Sequence, residues 1–321
     1  MKLIKPSFEI LEQLPGLEGV YKQIELAGRT CYKSEDKITE TSAKEFVDRM
    51  IKSGHGAMLE HGTVYLKWQQ TYHWDGMYGD DCIYDGNPLD KYKSNKYSKF
   101  TKFASMTITN NKDNSTYYVT TNLRVLVENN WLSDLQYICE PAEYHEKRHT
   151  VKFTCDRGVS HEFVRHRVFS FAQESTRYCN YSKDKFGNEI TCILPPWLSE
   201  NDLPKGFGYT SDEWGSLICE FYYEATEKGK SEGFNIEPVR NFVFALQTSE
   251  QLYFSLLKEG WKAQEARSVL PNSLKTELVM TGFESDWKHF FELRCPGSAH
   301  PQARELAIPL QEKFKELKWV D

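Results

Sequence analysis

The sequence predicts a protein of mixed helices and strands, α+β or α/β, in which the strands are scattered between helices. Two stretches, residues 62–69 and 149–156, alternate apolar and polar side chains as half-buried strands do. Elsewhere apolar residues recur at helical spacing, most regularly after Ser42 and after Pro301. The chain has no internal repeat, so we expect one domain over residues 1–321 with an extension at about 71–114.

The composition is typical of a globular protein with a large core. AVILMFWYC residues make up 40% of the 321 residues, and 19 Phe, 18 Tyr and 8 Trp exclude disorder as the main state. A net charge of −6 argues against nucleic-acid binding, and no apolar run is long enough to span a membrane. Lys5 and Pro6 interrupt the first apolar stretch, so we expect no secretory signal. Eight scattered Cys without a C-x-x-C pair favour reduced thiols in a cytoplasmic protein, with no structural zinc.

Local signals predict the elements of the first half. Ser42 and Glu45 have capping-box spacing and open a helix that Gly54 can end. Gly, Pro, Asn and Asp break every period in residues 71–114, which predicts an irregular extension ordered by its aromatic side chains. Two further elements follow, a strand at 115–121 and a helix at 122–129.

The second half adds the remaining elements. Ser160 is predicted to cap a short helix that runs to about Arg167, and Ser211 a longer one. Ser285 and Pro301 are predicted to begin the last two helices. The other predicted elements are helices at 235–247, 249–258 and 262–269 and a strand at 276–281.

Residues 157–178 concentrate positive charge that is unusual in an acidic protein. The segment contains four Arg and two His but only two Glu: Arg157, Arg165, Arg167, Arg177, His161, His166, Glu162 and Glu174. The neighbours at 165–167 would lie about 100° apart on a helix and could not share one face. Cations at the negative end of a helix explain this triplet alone most simply. The alternative is a junction with an anion or a nucleotide.

The stretch 170–177 favours a ligand. If it is extended, Gln173, Ser175 and Arg177 project to one side, and this amide, hydroxyl and guanidinium could hold a uracil-like ring and a phosphate. The alternative is a polar loop tied to the surface. His161 and His166 are five residues apart rather than four, so they do not form a zinc-protease motif. No Pro-Cys-His triplet offers a cysteine nucleophile.

The triplet Arg165-His166-Arg167, followed by seven residues and Ser175, resembles the signature of the flavin-dependent thymidylate synthases, the ThyX family. Three further segments are similar to segments of that family: S-G-H-G-A-M-L-E-H from Ser53, A-R-S-V-L-P from Ala266 and W-K-H-F-F-E-L-R from Trp287. The resemblance covers about residues 25–310. It implies a ThyX-like fold, with a central, mostly antiparallel sheet flanked by helices and 71–114 as an insertion.

The resemblance also implies an activity and its partners. The family methylates dUMP to dTMP as an FAD-containing homotetramer with active sites at subunit interfaces. Methylenetetrahydrofolate is the carbon donor, NADPH reduces the flavin, and the reaction uses no enzyme cysteine as a nucleophile. No metal, nucleic acid or membrane is involved.

The resemblance assigns roles to individual residues. Arg294 would be catalytic, at the pyrimidine; the alternative is a salt bridge to Glu292 or Glu305. Ser175 would position the substrate by a hydrogen bond, since a serine nucleophile needs an adjacent base. The residues implied for dUMP are Arg157, Glu162, Arg165, Gln173, Glu174, Ser175, Thr176, Arg177, Arg267 and Arg294. Those implied for FAD are His55, Arg165, His166, Arg167, Gln173 and His289.

The chain departs from the family pattern at three positions. Ala57 stands where some members have a hydroxyl near a flavin phosphate, and Phe283 and Ser285 stand where members often have Asn and Arg. The resemblance therefore does not identify which residues bind the adenine end of FAD. Two other functions remain as alternatives: a non-catalytic nucleotide-binding protein with a retained anion pocket, and an RNA-binding module that uses residues 71–114.

Overall fold

The computed structural model describes residues 1–73, 86–107, 112–198 and 237–321 and confirms a mixture of helices and strands. The described strands are β1 (Lys2–Ile4), β2 (Ser7–Leu11), β3 (Thr63–His73), β4 (Lys99–Thr107), β5 (Lys112–Asn122), β6 (Arg148–Asp156), β7 (Ser170–Gln173), β8 (Thr191–Ile193) and β9 (Lys275–Phe283). The described helices are α1 (Gly16–Tyr32), α2 (Ser42–Lys52), α3 (Gly56–Leu59), α4 (Leu123–Glu128), α5 (Arg157–Phe163), α6 (Glu237–Lys258), α7 (Ala263–Ala266), α8 (Glu284–Arg294) and α9 (Pro301–Glu316). Within these ranges, no helix combines the length and the apolar character needed to cross a membrane.

An antiparallel sheet with the strand order β2–β6–β9–β7 lies at the centre of the fold. Its register sets Thr154 of β6 opposite Glu277 of β9. Because side chains alternate along a strand, Val151, Phe153 and Cys155 share the other face of β6, and all three are fully buried. The alternation at 149–156 therefore predicted this strand correctly.

Helices cover both faces of the central sheet. On one face, α8 and α9 bury Trp287, Phe290 and Phe314 together with the apolar residues of β6. Burial of such a side chain stabilises the fold by roughly 1.5–3 kcal/mol. On the other face, α1 packs against β7 and β9, and Ala172 and Val279 enter the same core as α1. This two-sided packing fixes the edge strand β7, which leads into the candidate site.

The structure differs from the prediction of an irregular extension at 71–114. In the described residues β4 and the start of β5 lie there, and they join β3 in an antiparallel sheet with the order β3–β5–β4. Leu89 and Tyr92 from this stretch are fully buried in the core that contains α1 and α2. Lys102 lies 5.6 Å over the ring of Tyr117 on the neighbouring strand. Lysine–aromatic pairs replace the aliphatic alternation that would have predicted these strands.

Helix α5 begins earlier than predicted. Its cap is Asp156, whose Oδ1 accepts a hydrogen bond from the Val159 N–H at 2.8 Å, and not Ser160. The helix ends at Phe163, so the triplet at 165–167 lies beyond its last turn. Asp156 also ends β6, which makes the turn from strand to helix as short as the chain allows.

Other predicted elements agree or lie outside the described ranges. Pro301 is the first residue of α9, as predicted. Helix α6 is continuous where two helices were predicted, at 235–247 and 249–258, and the Thr248 hydroxyl donates to the carbonyl one turn earlier within it. The helix predicted from Ser211 lies outside the described residues.

An inward-facing arginine joins the two larger sheets. Arg148, at the start of β6, donates from Nη1 to the carbonyl oxygen of Glu60 at 2.9 Å and to Thr63 Oγ1 at 3.3 Å, and from Nη2 to Ser170 Oγ at 3.0 Å. Desolvation lowers its pKa to about 10. Arg148 thus connects the start of β6 to Glu60, to the start of β3 and to the start of β7.

Candidate active site

Three segments of the chain meet at Arg294, the last residue of α8. Its Nη1 lies 2.8 Å from Oε2 of Glu162, its Nη2 donates to the Glu162 carbonyl oxygen at 2.7 Å, and its Nε donates to Nε2 of His166 at 3.0 Å. Glu162 belongs to α5, and His166 to the turn that follows it. The paired carboxylate is therefore Glu162, and not Glu292 or Glu305 as considered from the sequence.

His166 is a neutral hydrogen-bond acceptor for Arg294. It is 7% exposed, and its ring lies 5.0 Å from that of Phe290, centroid to centroid. Burial, together with the charges of Arg294 and His289, lowers its pKa to about 4. At neutral pH its Nε2 carries no proton and accepts the Arg294 Nε–H. Glu162 and His166 together therefore fix the plane of the guanidinium.

Arg294 keeps hydrogen-bond donors for a ligand. A guanidinium has five N–H donors, and the three contacts above use one on each nitrogen. Within the described residues, one N–H on Nη1 and one on Nη2 have no protein partner. The side chain is 17% exposed, so solvent and small molecules can reach it.

The basic triplet is divided between the interior and the surface. His166 points inward, whereas Arg165 and Arg167 are exposed. Neither of these arginines, nor Arg157 in the first turn of α5, forms an ion pair with any residue in the described ranges. Because α5 ends at Phe163, contact with its carboxyl end does not account for all three charges. The unpaired cations instead give a surface that attracts an anion.

Gln173, at the end of β7, faces α5. Its Nε2 donates to Ser160 Oγ at 2.8 Å and to Thr276 Oγ1 at 3.2 Å. The Ser160 hydroxyl itself donates to the Arg157 carbonyl at 2.9 Å, so it must accept from Gln173. The amide carbonyl oxygen is then left for a ligand. Sequence reasoning missed Ser160 and Thr276, although Ser160 lies one helical turn after Arg157 in the same basic segment.

The chain turns after β7 instead of remaining extended. The strand ends at Gln173, and residues 176–178 form a turn whose last N–H donates to the Ser175 carbonyl at 3.1 Å. The Ser175 N–H donates to the Cys31 carbonyl at the end of α1, at 3.0 Å. Arg177 is exposed, 5.5 Å over the ring of the following tyrosine. The predicted alternation therefore applies only as far as the strand extends, and Arg177 owes its exposure to the turn.

Two neighbours of Ser175 face the protein. Glu174 is 3% exposed, and its Oε2 lies 2.8 Å from Lys275 Nζ. Thr176 is 7% exposed, and its Oγ1 accepts a hydrogen bond from Arg267 Nη1 at 3.2 Å. The side chain of Glu174 is thus occupied within the protein, and its N–H donates to the Glu277 carbonyl, so only its backbone carbonyl oxygen is left for a nucleotide.

The two predicted flavin-site histidines outside the triplet are exposed. Nδ1 of His55, before α3, lies 3.3 Å from the Tyr32 hydroxyl, and the Tyr32 ring lies 5.4 Å from that of Tyr178. These tyrosines connect His55 to the turn at 176–178. His289 is 61% exposed, and its ring lies 6.3 Å from that of His166. Tyr32 was not predicted, because nothing in its local sequence distinguishes it from a helix-end residue.

The structure thus joins the predicted residues in part. Glu162, His166 and Arg294 are in direct contact, and Thr176 contacts Arg267. The Arg177 N–H also lies 3.4 Å from Ser175 Oγ, and the other predicted residues line neighbouring segments. In the described parts of the chain, no group of three or more His, Cys, Asp or Glu residues could hold a metal ion. The arrangement can attract anions and can offer both donors and an acceptor to a planar ring.

Comparisons with known proteins identify relatives of the chain. A flavin-dependent thymidylate synthase from Corynebacterium diphtheriae is 31% identical over 162 residues, 50% of this chain and 54% of that protein. One from Geobacter sulfurreducens is 29% identical over 159 residues, 50% of this chain and 52% of that protein. The chain therefore spans about half the length of the curated relatives it matches. A solved UMP/dUMP methylase from Streptomyces cacaoi, bound with 5-Br dUMP, aligns with 99% of this chain and 93% of its own at 16% identity and a TM-score of 0.39, a score that supports no conclusion.

The family comparison covers more of the chain. The model described as "Thymidylate synthase complementing protein" matches residues 141–318, which is more than half of the sequence and includes Glu162, His166 and Arg294. This chain belongs to the thymidylate synthase complementing protein family, the ThyX family.

Proposed function

We propose that the chain is a flavin-dependent thymidylate synthase. It would convert dUMP to dTMP, with methylenetetrahydrofolate as carbon donor and NADPH-reduced FAD as hydride source. The observation that carries the proposal is the Arg294 guanidinium, which Glu162 and His166 orient while two donors stay free. The family match and the flavin-dependent thymidylate synthases among the relatives support the same activity.

Arg294 would stabilise charge on the pyrimidine. C5 of uracil is a poor nucleophile until negative charge builds on N3 and the adjacent carbonyl oxygen. Arg294 cannot be the base that removes a proton, because an arginine keeps its charge at any physiological pH. Its free N–H groups on Nη1 and Nη2 can donate to the developing negative charge, an effect worth about 10²–10³ in kcat for one donor.

Ser175 and Arg177 would bind the nucleotide. The exposed guanidinium of Arg177 suits a phosphate, which it can contact through two parallel N–H groups. Ser175 Oγ lies 3.4 Å from the Arg177 N–H, and no described histidine contacts it. Without such a base the hydroxyl is a weak nucleophile, so its role is to position the substrate.

The described cysteines do not favour thiolate chemistry. Six thiols have a pKa raised by burial: Cys31, Cys139, Cys155, Cys179, Cys192 and Cys295. The thiolate is the reactive form, so each of these groups stays protonated and unreactive at neutral pH. Methylation without an enzyme cysteine nucleophile is consistent with these values.

The residues around the triplet fit an anionic flavin nucleotide. Arg165 and Arg167 are exposed and unpaired in the described residues, so their guanidinium groups can bind its phosphates. The exposed imidazoles of His55 and His289 can pack against it, whereas His166 Nε2 is already taken by Arg294. When bound, FAD supplies the hydride for the reaction.

The activity is tested with purified protein. We expect it to be yellow, to bleach with NADPH without oxygen, and to form dTMP from dUMP and methylenetetrahydrofolate, measured by chromatography. A colourless protein that binds dUMP without turnover would support the non-catalytic alternative. Strongly salt-dependent RNA binding would support the RNA-binding module.

We also propose a cytoplasmic homotetramer with active sites between subunits. Val168 is 64% exposed and Leu293 50% exposed, and each directly adjoins a predicted site residue. Both side chains would lose contact with water if another subunit packed against this part of the site. Light scattering measures the assembly, and a fully active monomer would refute it.

A further inference from the structure

Next to Ser175, four charged side chains alternate in sign: Lys33, Glu277, Lys275 and Glu174. We call them the charge row. Lys33 pairs with Oε2 of Glu277, and Lys275 Nζ lies 2.9 Å from Oε1 of Glu277 and 2.8 Å from Oε2 of Glu174. The first three side chains are each 16% exposed and that of Glu174 is 2% exposed. The row therefore runs from the end of α1, across β9, to the residue after β7.

The charge row fixes geometry more than it adds stability. Burial of paired charges costs about as much as their attraction returns, and an apolar pair of similar size is often as stable. Desolvation opposes the charge on Lys275, yet attraction to Glu174 and Glu277 outweighs it and raises the pKa of Lys275. The same pairing lowers the pKa of Glu277 against desolvation. Lys275 and Glu277 are therefore both charged at neutral pH, and each side chain of the charge row constrains where its neighbour can lie.

The charge row ends on the segment that carries the nucleotide-binding residues. The Glu174 side chain is held by Lys275, and its N–H donates to the Glu277 carbonyl at 2.8 Å. The next N–H, of Ser175, is bound to the end of α1. Both contacts precede Arg177, so the position of Glu174 sets where the turn begins.

The strand beside β7 holds this segment from both faces of the sheet. Lys275 contacts Glu174 on the α1 face, while its neighbour Thr276 accepts from Gln173 on the α5 face. Successive side chains of a strand point to opposite faces, so two adjacent residues of β9 restrain two adjacent residues at the end of β7.

We propose that Lys275 is a positioning residue for dUMP binding. It does not touch the nucleotide; through Glu174 it holds the Ser175–Arg177 turn in the conformation that binds it. The proposal rests on the proposed function and adds a residue to it. A displaced turn weakens nucleotide binding, since correct placement of binding groups is worth large factors.

The test compares Lys275→Met with a matched control, Lys152→Met. Lys152 lies on the same face of the central sheet, on β6, two strands from β7, and its Nζ is 2.7 Å from Oε2 of the exposed Glu9. For Lys275→Met we expect the Kd of dUMP, from calorimetry, to rise about tenfold, with kcat at saturating dUMP and bound flavin nearly unchanged. Lys275→Arg should restore most of the affinity, and Lys152→Met should bind like wild type.

Glu174→Gln tests the same contact without removing the lysine. It keeps the shape of the side chain, and Lys275 stays paired with Glu277, so the variant should fold even if Lys275→Met does not. We expect the same tenfold loss in dUMP affinity, and no further loss in the double variant, because the contact between Lys275 and Glu174 is the one that both changes remove. Wild-type affinity for dUMP in the variants would refute the role of Lys275. A fall in bound flavin and in kcat as large as the fall in dUMP affinity would refute it too, because it would indicate general damage to the fold. A wild-type protein that does not bind dUMP would instead refute the proposed function.

Discussion

Replacement of Arg294 by Ala separates the proposed chemistry from a purely structural ion pair. The change removes the contacts to Glu162 and His166 and the two free donors. The ion pair is partly exposed, at 17% and 34% for its two side chains, so its loss should cost only about 1 kcal/mol of stability. A much larger effect is expected on turnover, because one such donor is worth about 10²–10³ in kcat.

The assay is dTMP formation at saturating dUMP, together with flavin absorbance. We expect Arg294→Ala to keep its flavin and to lose at least about 10² in kcat. Arg29→Ala is the matched control: Arg29 is paired with the buried Glu25 at 2.9 Å but has no place in the candidate site. It should lose stability and keep kcat. Near-normal turnover by Arg294→Ala would refute the assigned role, and loss of flavin from that variant would show that the residue is structural.

Three further predictions concern His166, Ser175 and Gly28. The folded-state pKa of His166, about 4, lies below its unfolded value, so its stabilising contribution is complete above about pH 6.5 and is lost as the pH falls towards 4. Protonation of His166 should lower the free energy of unfolding, measured with urea, by at most about 2 kcal/mol at pH 5. His166→Phe should make the free energy of unfolding depend less on pH between about 6.5 and 5; an unchanged pH dependence would contradict the buried neutral imidazole. Ser175→Ala should lose one hydrogen bond and about two- to tenfold in turnover, whereas complete loss with dUMP still bound would indicate a nucleophile. In Gly28→Ala the new Cβ would lie 2.4 Å from the ring of Phe46, so thermal unfolding should show a loss of about 1–3 kcal/mol, and an unchanged Tm would show that the ring moves freely.

The elements that the sequence predicted well are those whose pattern is complete within a few residues. The alternation at Val151, Phe153 and Cys155 is enough to define β6, and a proline marks the start of α9. The start of α5 was misplaced because Asp156 and Ser160 are both good caps, and only the end of β6 decides between them. Strand β4 escaped detection because its side chains pair with rings on a neighbouring strand rather than alternate with aliphatic ones.

The candidate site was predictable where it is contiguous. The positive charge of residues 157–178 predicted a binding segment, because local composition is enough to reveal it. The pairing of Arg294 with Glu162 could not be predicted in the same way. Glu162 lies 132 positions away in the sequence, and the two residues meet only in the folded arrangement of β6, β9 and α8. Lys275 has the same limitation: in sequence it is an ordinary strand lysine, and its role follows from the neighbouring strand.

The inward-facing Arg148 sets a limit on how small this protein can be made. Residues 141–318, which the family model matches, contain Arg148 but not Glu60 or Thr63, two of its three acceptors. They also lack β2, which pairs along β6. A fragment cut at residue 141 would expose a sheet edge and leave a desolvated cation short of partners, so we expect it to aggregate or to bind hydrophobic dyes rather than fold. Shortened versions for crystallisation or engineering should therefore keep the amino-terminal strands, although these lie outside the residues that the family model matches.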